Sequence, residues 1–186
     1  MKRQLFFIAV ATVMPGLASA HGLGAGSNFQ SGLLHPLTGA DHLAAMLALG
    51  LLAGSIGGRA IWAVPLCFLA AMLGGAMLGA GGTMMPGTEQ VILASVIVLG
   101  VTVALALRPS AILLGAMAII FGAAHGFAHG SEAPAGSMAL FASGFVTGSA
   151  GLILAGIVLA KLIYGRGFQL AGGALSLLGL GVAFAG

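Results

Sequence analysis

The chain has 186 residues, 60% of them apolar and 5% charged, with a formal net charge of +3 and a mean hydropathy of +1.17. Soluble domains carry about 25% charged residues, so the composition excludes a water-soluble fold and predicts an all-α polytopic membrane protein. No basic patch is present, which excludes a nucleic-acid binder; the few cations read as topology signals.

In chain order, the N-terminus has the three parts of a cleavable signal peptide over residues 1–20. Lys2 and Arg3 form the positive region, Leu5 to Val13 a short apolar core, and Ala18-Ser19-Ala20 a small-residue cleavage site. Cleavage would leave His21 as the first mature residue, facing outside, followed by about ten polar or small residues. Residues 21–186 then read as one six-helix transmembrane domain. Its apolar runs fall at about 33–55, 60–81, 89–107, 110–130, 137–160 and 167–185. The breaks between them are short and rich in glycine and proline, so consecutive helices are expected to be antiparallel neighbours. With the mature N-terminus outside, the first, third and fifth connections are cytoplasmic. They hold Arg59, Arg108, Lys161 and Arg166, every cation of the mature chain. That distribution agrees with the positive-inside rule. The expected location is the bacterial inner membrane, with the mature N-terminus and the C-terminus both periplasmic.

Two clusters break the apolar pattern. The first runs His35-Pro36-Leu37-Thr38-Gly39-Ala40-Asp41-His42, at the start of the first span. The second runs His125-Gly126-Phe127-Ala128-His129-Gly130-Ser131-Glu132, at the end of the fourth. Ionisable groups at membrane depth are costly and mark functional sites. The topology puts both clusters at the external side, where they can share one site if the first and fourth spans touch. Helical spacing puts His35 and His42 on one face, provided the turn at Pro36 is the first helical turn. Met46, four residues on, extends that face. His125 and His129 share a face of the fourth span, with Glu132 near the same stripe. Asp41 either orients a ligand histidine or binds directly.

The candidate metal ligands are therefore His35, Asp41, His42, His125, His129 and Glu132, with Met46 and His21 weaker. For Met46 the alternative is core packing, for His21 a passive tail residue, and for Glu132 a solvated loop acid. Imidazole donors suit nickel, cobalt, zinc and copper; Met84 and Met85 keep copper open. Cys67, the single cysteine, reads as a core residue, and Glu89 as a carboxylate at a helix start. Gly75–Gly79 and Gly144–Gly148 have the spacing that lets membrane helices approach closely.

At these residues the chain resembles the HupE/UreJ family of membrane proteins, viewed as nickel or cobalt permeases. His35-Pro36, Gly39, Asp41-His42 and Met46 match the first motif of that family. His125-Gly126, Ala128, His129-Gly130 and Glu132 match the second. The first motif also looks like the His/Asp-His signature of a separate nickel/cobalt transporter family, with one extra residue between histidine and aspartate. The resemblance implies secondary, non-ATP-hydrolysing uptake of Ni²⁺ or Co²⁺ as substrate, with no prosthetic group and no enzymatic activity, in the service of hydrogenase or urease. The expected partners are the divalent ion and the lipid bilayer; a homo-oligomer is compatible with the sequence. Two other readings share the same ligands: a non-transporting metal-binding accessory or sensor, and an intramembrane zinc hydrolase using Asp41 or Glu132 as base.

Overall fold

The computed structural model describes residues 28–132, 138–163 and 165–185, with the side chains of Glu132 and Ala185 outside that set. The expected signal peptide and His21 also lie outside the described residues. The described residues form seven helices: α1 (Phe29–Thr38), α2 (Ala40–Ile56), α3 (Ala60–Ala80), α4 (Thr88–Ala104), α5 (Ala111–Glu132), α6 (Met138–Leu162) and α7 (Arg166–Ala185). Helices α3 to α7 each coincide, within a few residues, with one of the last five apolar runs.

The first run does not form one helix. It breaks at Gly39 into α1 and α2, which meet at a bend of 82°. Gly39 has φ −86 and ψ 115, which ends α1 and starts α2. Local chemistry supports the break. Pro36, inside α1, cannot donate a backbone hydrogen bond. Asp41 Oδ1 accepts the His42 amide at 2.8 Å, satisfying one of the orphan donors of the new helix start. The residues expected to form a tail before position 33 are partly helical. Asn28 caps α1, its Oδ1 accepting from the Ser31 amide at 2.8 Å. Pro36 therefore sits near the end of α1, not in its first turn.

Four helices, α3, α5, α6 and α7, are long and apolar enough to cross a membrane, and the bent α1–α2 pair counts as a fifth. Helix α4 is apolar but only 17 residues long. The expectation of six full-length spans is thus met by four or five, with α4 below the length test.

The helix pairing also departs from expectation. The most extensive packing joins α3 to α5, α2 to α6, α1 to α6 and α4 to α7, while α3–α4 and α6–α7 are not packed along their lengths. Glycine explains the partners. On α5, Gly122, Gly126 and Gly130 recur every four residues. A Cβ at each would collide with the backbone of Phe68, Met72 and Ala76 on α3. Gly75 and Gly79 of α3 lie as close to Ala123 and Phe127 of α5. Helix α6 receives α1 at Gly144 and Gly148, against Phe29 and Leu33, and receives α2 at Gly156, against Leu47 and Gly50. Without a hydrophobic force between helices in lipid, such backbone-to-backbone packing carries the association. Contact choice thus follows the glycine faces rather than chain order.

Candidate metal-binding site

The bend at Gly39 brings the first cluster against α5. His35 projects from α1, and Asp41 and His42 from the first turn of α2. His125 and His129 come from the last two turns of α5. The ring centroids are 4.4 Å apart for His35–His129, 4.5 Å for His42–His129 and 4.7 Å for His42–His125. His35 and His42 lie 6.3 Å apart. The seven-residue spacing argument assumed one continuous helix and does not apply across an 82° bend. The two rings meet because the bend folds α1 back towards α5.

Hydrogen bonds link the rings into a chain. His42 Nδ1 lies 2.7 Å from Asp41 Oδ1. His42 Nε2 contacts His129 Nε2, and His129 Nδ1 lies 3.1 Å from His35 Nε2. One proton arrangement satisfies all three contacts with neutral rings. The His42 Nδ1–H donates to the carboxylate, His129 Nε2–H donates to His42 Nε2, and His35 Nε2–H donates to His129 Nδ1. Asp41 thereby fixes His42 with its Nε2 lone pair facing the cluster. A backbone carbonyl does the same for His125, whose Nδ1–H donates to the Phe121 carbonyl at 2.9 Å. Its Nε2 is buried and has no hydrogen-bond partner. An unpaired buried acceptor costs about 1–3 kcal/mol, so this one has the character of a ligand atom held in reserve.

The residue types fit a divalent transition ion: neutral imidazole nitrogens, each oriented by a carboxylate, a carbonyl or another ring. The rings are nonetheless closed on one another. Among the described residues, no three or more His, Cys, Asp or Glu side chains surround one point at which a metal could sit. The expected joint grip is therefore present as a set of neighbours, not as an assembled coordination shell. His129 explains why, because both of its nitrogens are engaged by other histidines.

The walls are aromatic. Phe145 of α6 is buried, with its ring 4.5 Å from His129 and 5.8 Å from His35. Phe141 lies 5.5 Å from His35, and Phe68 of α3 lies 5.8 Å from His125. Sequence reasoning missed these residues. Phe141 and Phe145 are four apart, which puts them on one helical face, but nothing in the chain ties that face to the histidines. Met46 is fully buried in the main hydrophobic cluster with Leu49 and Phe68, as its packing alternative expected. Glu132 ends α5, and its side chain is outside the described set.

Four histidines, three of them buried and His35 half-buried, set at a helix break inside a glycine-packed bundle, define a helical membrane protein with an imidazole cluster between its helices. Comparison with known proteins gives the particular family. The profile described as "HupE / UreJ protein" matches residues 8–186, and the chain belongs to that family. Protein HupE of Rhizobium leguminosarum bv. viciae is 38% identical over 179 residues, covering 91% of each chain. No solved structure matches significantly.

Proposed function

We propose that the chain is a secondary permease for a divalent transition metal, Ni²⁺ or Co²⁺, carrying it as substrate from periplasm to cytoplasm across the bacterial inner membrane. One observation carries this reading: imidazoles from stretches about ninety residues apart meet beside a broken helix. Broken helices at binding sites are a recurrent device of secondary transporters. Family membership and the placement of every mature cation on the connections assigned to the cytoplasm support it as well. The protein needs no prosthetic group and acts on no bond.

In this reading His42 and His129 are the first ligands. Metal–imidazole distances of about 2.0–2.1 Å put two ligating nitrogens about 2.9–3.4 Å apart. The two Nε2 atoms are closer than that, so a small separation admits an ion between them once His129 takes its other neutral tautomer, with Nδ1–H donating to His35 Nε2 and the His35 proton on its own Nδ1. His125 Nε2, one turn further into the membrane on α5, is available as the next ligand. His35 holds the other nitrogen of His129 and orients it. Asp41 supplies negative charge through His42.

The test is flux of Ni²⁺, Co²⁺, Zn²⁺ and Mn²⁺ into vesicles containing the purified protein, alongside equilibrium binding. Flux of nickel or cobalt that is lost in His42→Ala and His129→Ala supports a permease. Binding without flux assigns the protein to the non-transporting accessory class instead.

A further inference from the structure

The end of the bundle opposite the histidines is charged in one sense only. Arg59 follows α2, Arg108 lies between α4 and α5, Lys161 is in the last turn of α6 and Arg166 opens α7. The chain has three acids, Asp41, Glu89 and Glu132. They sit at the N-terminal ends of α2 and α4 and the C-terminal end of α5, which all point the other way. Among the described residues the one ion pair is His42–Asp41. Among the described residues, no cation at the basic end has a carboxylate partner.

Two of these cations converge on a cavity of about 660 Å³, lined by Arg108, Lys161, Ser55 and Gln169 among others. Its walls come from the end of α2, the α4–α5 turn, the end of α6 and the start of α7. This is within the size range of small-ligand sites, roughly 300–1,000 Å³. Ala106, also on its wall, has φ 51, a conformation that side-chain-bearing residues rarely adopt. Such outliers persist where the surrounding structure needs them. Exposed Leu107 lies on the same wall beside Arg108, giving the basic mouth an apolar edge.

We propose that this cavity binds a phosphate-bearing anion, held by Arg108 and Lys161 with Ser55 and Gln169 as neutral hydrogen-bonding groups. Arginine pairs with phosphate through two parallel N–H donors, and lysine adds a point charge. Basic pockets between membrane helices suit anionic lipid headgroups; a free phosphate carries the same chemistry. The same two cations repel a divalent metal, so the cavity does not serve as its exit. The proposal is independent of what the histidines bind.

The test uses the full-length protein purified in detergent and stripped of lipid. Thermal unfolding is followed on titration with phosphatidylglycerol, phosphatidylcholine or inorganic phosphate. Phosphatidylglycerol should raise Tm, while phosphatidylcholine, which has no net charge, should not. Each side chain removed, in R108Q or K161Q, should weaken the binding roughly tenfold or more; R59Q, at the same end but outside the cavity, should keep it. A full shift with inorganic phosphate alone identifies free phosphate as the source, and a shift only with phosphatidylglycerol identifies the headgroup. Equal shifts in wild type and R108Q/K161Q overturn the proposal. Native mass spectrometry of the wild-type protein gives a readout that no variant's folding can obscure. Retention of neither phosphatidylglycerol nor phosphate there overturns it equally.

Discussion

His42 and His129 lie 87 residues apart in the chain and share a hydrogen bond between their Nε2 atoms. That contact joins the helix break at Gly39 to the end of α5, and in the proposed function it is where an arriving ion is first held. Replacing either residue by alanine should weaken nickel or cobalt binding by more than tenfold and abolish uptake. His35→Ala should cost less, since His35 acts through His129. Isothermal titration of the three variants checks the order; a His35 effect as large as that of His42 would reverse the assigned roles.

Asp41 accepts from both the backbone amide and Nδ1 of His42. Asp41→Asn keeps the shape and removes the charge. Carboxylates behind ligand histidines are worth about 10–100-fold in metal affinity, so a loss in that range is expected, with the thermal stability of the protein little changed. Unaltered affinity would show that Asp41 serves only to cap α2.

Gly39 tests the geometry of the same pair. A Cβ there would lie 3.0 Å from both Asp41 Oδ1 and His42 Nδ1, tighter than ordinary contact. Its φ of −86 is open to any residue, so the backbone conformation itself is not strained by Gly39→Ala. The variant should fold and bind metal more weakly than wild type. Wild-type affinity in a folded Gly39→Ala protein would show that the pair tolerates displacement.

The glycine faces predict an asymmetric series. Gly126→Ala drives a methyl group into the Met72 carbonyl, and Gly130→Ala into the Ala76 backbone. Overpacking of this kind costs about 1–3 kcal/mol, and more when both contacts are backbone. Gly74, Gly115 and Gly151 have open space at the same distance. Alanine there should be neutral, or stabilising by about 0.5–1 kcal/mol through helix propensity. Unfolding midpoints in detergent separate the two groups.

Phe145 covers the cluster from α6. Phe145→Ala should expose His129, seen as faster modification by diethyl pyrocarbonate, and should quicken metal release. Unchanged modification would mean that access runs by another side.

The sequence announced the histidine clusters more clearly than the architecture. Histidine and aspartate stand out in a chain with so few polar groups, and cation placement brought both clusters to one side. The break at Gly39 stayed hidden because the polar cluster at 35–42 sits at the start of the otherwise apolar run from 33 to 55, and hydropathy does not distinguish a bent pair from one helix. Its chemical cues, Pro36, Gly39 and Asp41, were visible but read as a helix start. Partner choice was hidden for a different reason. Glycine faces occur on α3, α5, α6 and α7 alike, so a small-residue repeat marks a close contact without naming the helix that fills it. The aromatic cover from α6 depended on that pairing and was invisible with it.

Helix α4 is 17 residues long, about 25 Å at 1.5 Å per residue, and it exposes Val98 and Val101. A bilayer core is about 30 Å thick. As a span, α4 obliges the surrounding lipid to dimple towards it, so membrane thickness becomes a variable of this protein. Reconstitution across a series of acyl-chain lengths should then show an optimum in the shorter lipids.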